Sequence, residues 1–197
     1  MKTIVLASSN PGKLTEFKIL LKEIGGDIKA QSEFDVSPAE ETGLTFVENA
    51  ILKARHACAE TGFAAIADDS GIEVDALRGA PGIYSARFGG EHADDDANNQ
   101  KLLRELQHVP EEERNARYQC VLVYMDHAND PTPLIAQGSW EGRILTSAVG
   151  EGGFGYDPLF WVPSHRCSGA QLCKEEKNRI SHRAVAMRQL VAQLTAT

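Results

Sequence analysis

The chain holds 197 residues, enough to bury a core without disulfide or metal staples and short enough for one catalytic unit, with two lobes at most. Hydrophobic residues make up 42% and charged residues 24%, which excludes a disordered or fibrous chain. A formal net charge of −8 excludes a protein that coats nucleic-acid phosphates or anionic membrane, so a polyanionic ligand must be met locally by a few cations, helix N-termini or a metal ion.

Residues 2–7 form a β-branched apolar run that predicts a buried strand. The run is too short for a secretory leader or a membrane span, and the expected setting is cytoplasmic. A polar loop follows, Ser8-Ser9-Asn10-Pro11-Gly12-Lys13, and then Leu14, Phe17, Leu21 and Ile24 recur at helical spacing until Gly25-Gly26. Thr45 and Glu48 fit a capping box that opens a second helix, with Phe46, Ala50, Ala54 and Ala57 on one face and Gly62 at its end. Residues 64–68 predict a short strand running into Asp68-Asp69-Ser70-Gly71.

A Gly- and Pro-rich loop over 79–90 leads to a third helix over 95–106, with Leu102, Leu103 and Leu106 facing one way. Strands are predicted over 118–126 and 134–144, antiparallel and joined through Asn129-Asp130-Pro131, and another over 159–162. A last helix begins at Ser181 and carries Ala184, Met187, Val191 and Leu194 on one stripe. The order of elements predicts an α/β fold, elongated and two-lobed, with a mixed central sheet flanked by helices and an active-site cleft between the lobes. Cys58, Cys120, Cys167 and Cys173 form no C-x-x-C pair and are read as free thiols.

Four segments carry chemistry. Gly12 and Lys13 stand where strand gives way to helix, a place suited to phosphate oxygens, although a P-loop would require glycine where Ala7 stands. Asp68 and Asp69 emerge together after a buried strand, and oxygen ligands of this kind suit Mg²⁺, to which Glu40 or Glu41 can add a carboxylate. Gly150-Glu151-Gly152-Gly153-Phe154-Gly155-Tyr156-Asp157-Pro158 interleaves glycines with two rings and a carboxylate, so it can close on a flat ligand with Phe154 or Tyr156 stacking. Ser181-His182-Arg183 opens the last helix, where a cation opposes the helix dipole and Arg183 is therefore better explained as a donor to ligand oxygens.

Taken together, these segments, with Glu41-Thr42-Gly43-Leu44-Thr45-Phe46 and Pro81-Gly82-Ile83-Tyr84-Ser85-Ala86-Arg87, resemble the non-canonical purine nucleoside triphosphate pyrophosphatase family, the inosine/xanthosine triphosphatases. The resemblance spans nearly the whole chain and implies a Mg²⁺-dependent homodimer that hydrolyses ITP, dITP and XTP to monophosphate and pyrophosphate. It implies a triphosphate held by Ser8, Ser9, Asn10, Pro11, Gly12 and Lys13, with Lys53 and Lys177 as further cations and Ser70 as another contact. It assigns Asp69 to metal and general-base work, with Glu40 as the candidate second metal carboxylate and Glu41 as its rival. Phe154, Gly155, Tyr156, Asp157, Lys177, His182 and Arg183 then recognise the base and close on it. Ser9 stands where the family more often has Gly or His. A donor-only pocket rewards the six-position oxygen of hypoxanthine or xanthine and leaves a donor unpaired against the amine of adenine.

Overall fold

The N-terminal apolar run forms β1 (Thr3–Leu6), whose residues divide between two faces as the strand period of two requires. In the computed structural model, which describes residues 2–8, 14, 17, 27–90, 92 and 94–196, β1 belongs to a seven-stranded sheet. Its other strands are β2 (Asp27–Ala30), β3 (Ala64–Val74), β4 (Asn115–Met125), β5 (Leu134–Ile144), β6 (Phe160–Val162) and β7 (Cys167–Ser168). The strand order is β2-β1-β3-β4-β5-β6-β7. β1 pairs in parallel with β2 and β3, whereas β6 runs antiparallel to β5 and β7, so the sheet is mixed as predicted.

Four α-helices have their bounds in the described residues: α1 (Phe46–Thr61), α2 (Asp95–Glu105), α3 (Lys174–Ile180) and α4 (His182–Thr195). Most of the predicted first helix lies outside the described residues; Leu14 and Phe17 from it are helical, and Phe17 is fully buried. Contacts divide the chain into two units, one of Met1–Asp69, Cys120–Gly138 and Arg183–Thr197, the other of Ser70–Gln119 and Ser139–His182.

In the first unit the sheet is covered on both faces. Ile4, Leu6, Ile66, Leu122 and Tyr124 share a cluster with Phe17 and with Met187 and Leu190 of α4. The alternate residues Val5, Ala65, Ala67, Val121 and Val123 pack against Ala50, Ala54 and Ala57 of α1, whose small side chains allow a close helix–sheet approach. In the second unit Ile72, Val74, Leu102, Leu106, Trp140, Leu159 and Phe160 form a separate core.

The structure corrects four local readings. β3 does not stop at 68 but continues to Val74, so Asp68, Asp69, Ser70 and Gly71 lie inside a strand and not in a turn after it. Ile72 and Val74 are fully buried, and that burial carries the strand past the acidic pair. β4 begins at Asn115, three residues before the predicted start. β2 and β7, four and two residues long, and the seven-residue α3 are too short for periodicity to register, and none of them was predicted. Cys58, Cys120, Cys167 and Cys173 form no disulfide with one another. Among the described residues no helix is long and apolar enough to cross a membrane.

Candidate active site

The first constellation lies within the first unit and grows from the start of α1. Thr45 caps the helix by accepting from the Glu48 N–H at 3.3 Å, and the Glu48 carboxylate accepts from the Leu44 N–H at 2.9 Å and from the Thr45 hydroxyl at 2.8 Å. This fixes the loop before the helix against its first turn. Gly43 donates its N–H to Asn49 Oδ1 at 2.8 Å. A Cβ on Gly43 would come within 2.6 Å of Glu48 Cβ and 2.7 Å of Asn49 Oδ1, so no larger residue fits without displacement.

Asn49 and Lys53 are four residues apart and share a helix face, which brings both to Asp69 on β3. The fully buried Asn49 donates from Nδ2 to Asp69 Oδ2 at 3.4 Å. Lys53 Nζ donates to Asp69 Oδ1 at 2.8 Å and to Glu41 Oε1 at 2.9 Å. The Lys53, Asp69 and Glu41 side chains are 14%, 10% and 30% exposed. Burial pushes the Asp69 carboxyl above its usual range, the Lys53 ammonium pulls it back, and the Glu41 and Asp68 charges add to the rise. Burial would lower Lys53, but the charges of Asp68 and Asp69 and its two hydrogen bonds outweigh it, and the ammonium is held protonated.

A cation thus bridges two carboxylates, and the carboxylate that reaches it is Glu41, whereas Glu40 is exposed. Among the described residues no group of three or more His, Cys, Asp or Glu is arranged around a common point as a metal cage. The donor set nonetheless fits Mg²⁺, which takes one or two carboxylates and completes its shell with water and phosphate oxygens. The Lys53 ammonium shows that Glu41 and Asp69 can share one cation.

The second constellation lies within the second unit, around the glycine-rich loop. Asp157 is 2% exposed and spends its carboxylate on the loop itself: Oδ2 accepts from the Phe154 N–H at 2.8 Å and from Lys177 Nζ, and Oδ1 accepts from the Tyr118 hydroxyl at 3.4 Å. Asp157 is thus an internal anchor of the loop. Gly153, at φ +77°, sits so close to Asp157 Oδ2 that a Cβ would collide with it. Tyr156 is 4% exposed and donates its hydroxyl to the Ser85 carbonyl at 2.7 Å, so its ring is unavailable for stacking. Phe154 is 44% exposed, with Lys177 Nζ 4.5 Å from its ring centroid. His182 stacks on Tyr118 with centroids 4.8 Å apart and planes 8° apart.

Of the predicted residues, Glu41, Lys53, Asp68 and Asp69 come together in one unit, and Phe154, Gly155, Tyr156, Asp157, Lys177 and His182 in the other. Ser70 follows Asp69 in β3, and Arg183 is buried in the first turn of α4. Ser8 is described and donates its N–H to the Leu6 carbonyl at 2.9 Å, whereas Ser9, Asn10, Pro11, Gly12 and Lys13 lie outside the described residues. Asn49 and Tyr118 were missed. The signal for Asn49 was its place four residues before Lys53, at the edge of the alanine stripe; Tyr118 had been taken as a strand residue only.

A model of the Ham1 family matches residues 4–193 of the chain. A dITP/XTP pyrophosphatase of Vibrio parahaemolyticus is 59% identical over 196 residues, which cover 100% of this chain and 98% of that protein. One from Photobacterium profundum is 59% identical over 194 residues, covering 98% of each. The solved HAM1 protein from Coxiella burnetii matches with a TM-score of 0.95 at 49% identity and covers 100% of both chains. The Ham1 protein of Staphylococcus aureus matches with a TM-score of 0.90 at 43% identity over 99% of both.

Proposed function

The chain belongs to the Ham1 family, and on that premise we propose that it hydrolyses ITP, dITP and XTP to the nucleoside monophosphate and pyrophosphate, clearing them before incorporation into DNA or RNA. The observation that carries the reading is the Lys53 ammonium shared by the carboxylates of the buried Asp69 and the half-buried Glu41. Binding alone has little need for clustered carboxylates beside a polyanion.

Asp69 is the general base. The rise in its pKa makes it a better proton acceptor than an ordinary aspartate, and Asn49 and Lys53 hold its two oxygens in fixed directions. Glu41 and Asp69 would hold Mg²⁺, with Glu41 in the role first given to Glu40. Mg²⁺ held by these carboxylates would supply neutralisation of the charge that develops on the phosphate. Lys53, with one hydrogen bond to each carboxylate, favours the ionised form of Asp69 and adds a fixed positive charge for the phosphate tail. The loop 8–13 receives the remainder of that tail through its N–H groups and Lys13.

Base recognition falls to the second unit and to the start of α4. Phe154 offers the exposed ring for stacking, since Tyr156 is committed to Ser85. Arg183 supplies donors only, which favours the six-position oxygen of hypoxanthine or xanthine over the amine of adenine. The same reading includes a homodimer at work in the cytoplasm.

The test is a panel of ITP, dITP, XTP and the four common triphosphates, with and without Mg²⁺, with products resolved as phosphate or pyrophosphate. Pyrophosphate and monophosphate from the first three, lost on chelation and restored by Mg²⁺, is the expected result. Orthophosphate with a diphosphate product would overturn it.

A further inference from the structure

We infer that helix α2 sets the position of the glycine-rich loop, with Asp95 and Asn99 as positioning residues for base binding; the inference rests on the reading of that loop given above. Gly155 adopts φ +62°, a conformation that glycine enters without strain and that leaves its two flanking peptides free to pivot. Two side chains remove that freedom. Asp95 Oδ2 accepts the Gly155 N–H at 2.6 Å, and Asn99 Nδ2 donates to the Gly155 carbonyl at 2.9 Å. Asp95 and Asn99 are four residues apart on one face of α2, so a single helix grips both polar groups of one loop residue.

The helix is itself anchored. Asp94 caps it by accepting from the Ala97 N–H at 2.8 Å, and Leu102 is fully buried in the core. The buried Asn98 accepts from the Gly89 N–H at 2.6 Å and donates to the Ala86 carbonyl at 3.3 Å. The Tyr156 hydroxyl bonds the Ser85 carbonyl in the neighbouring turn, so Gly155 and Tyr156 are both referred to α2, one directly and the other through residues 85–89. Asp157 closes on Phe154 and Lys177 from the other side. With both ends held, the orientation of the exposed Phe154 ring follows from the clamp on Gly155.

Asn99 also offers a clean probe. Its Oδ1 is buried and takes no hydrogen bond from the described residues, so its contribution comes from the amide that reaches Gly155. Asn99→Leu removes that donor together with the unbonded oxygen, and the core around Leu102 has no reason to suffer.

The experiment compares wild type, Asn99→Leu, Asp95→Ala, Asp95→Asn and the Asn99→Leu/Asp95→Ala pair. Amide exchange of the peptide spanning 150–158 is followed without nucleotide, and ITP kinetics are measured alongside. The pair should exchange about tenfold faster in that peptide and raise KM for ITP about tenfold, with kcat changed less than about twofold. Asp95→Asn, which keeps an oxygen acceptor, should recover part of both effects. Exchange at the wild-type rate in the pair overturns the inference, and so does faster exchange with an unchanged KM, or a loss confined to kcat. If wild type hydrolyses none of the purine triphosphates the functional reading fails, and the exchange arm still decides whether α2 holds the loop.

Discussion

Lys53 and Asp69 meet through a 2.8 Å hydrogen bond with side chains 14% and 10% exposed, and Glu41 completes the contact on the other side of the ammonium at 2.9 Å. Removal of Lys53 or Asp69 is costly, because it leaves the other as a largely buried and uncompensated charge. The arrangement also holds a carboxylate with a raised pKa in a fixed direction, as a general base requires.

Asp69→Asn should abolish turnover while the fold survives. The amide keeps the shape and its single oxygen can still accept from Lys53, but its NH₂ then faces the Asn49 donor, and it cannot take a proton from water. The expected loss in kcat is about a thousandfold, within the usual range for general-base removal. Steady-state kinetics with ITP and a thermal melt of the same preparation check both halves, and turnover near wild type would remove Asp69 from the chemistry.

Lys53→Met should cost stability as well as activity. The thioether fills the volume but leaves Glu41 and Asp69 facing each other without a cation, a loss of about 3–5 kcal/mol by analogy with broken buried ion pairs. Urea unfolding of variant and wild type measures it. A change below about 1 kcal/mol, the usual worth of an exposed pair, would show that the cluster is effectively solvated.

Two glycine substitutions separate crowding from backbone strain. At Gly43 a Cβ meets Glu48 Cβ at 2.6 Å and Asn49 Oδ1 at 2.7 Å, so Gly43→Ala must push Asn49 away from Asp69. Overpacking of this kind costs about 1–3 kcal/mol, and kcat should fall with stability. Gly62, the α1 C-cap at φ +70°, has open space around its Cβ position, so Gly62→Ala should cost about 1 kcal/mol of strain and leave kcat alone. Equal effects on kcat would mean that Gly43 does not position the site.

Acid should weaken the fold through Glu176. Its carboxyl is held at about 2, below its ordinary 4.5, first by hydrogen bonds from Arg179 and then by His165. A depressed folded pKa stabilises the native state fully above the unfolded value, and the gain is lost as pH falls from about 4.5 through about 2. Urea midpoints of wild type and Glu176→Gln measured across that window should converge toward its acid end, with wild type the more stable above it. Parallel curves would show that Glu176 contributes nothing to the acid limb.

What the sequence by itself determined is the periodic part of the fold and the chemical types in the site. The run at 3–6, the alanine stripe of α1 with its Thr45–Glu48 cap, and the length of β5 all emerge from burial patterns that repeat along the chain. The acidic pair and the glycine-rich loop stood out because their composition is unusual for bland turns. What only the tertiary structure decided is which neighbour makes which contact. Glu40 and Glu41 are adjacent in sequence, and their difference lies in which one reaches Lys53 from a loop tied down by Gly43 and Asn49. Phe154 and Tyr156 are alike as rings, yet Tyr156 is drawn inward by a carbonyl 71 residues away in sequence. Asp157 is met by Tyr118 from β4 and Lys177 from α3, 39 and 20 residues away in sequence. Such choices depend on partners distant in the chain, and local propensity carries no information about them, because hydrogen bonds and burial of this kind exist only once the sheet has brought its strands together.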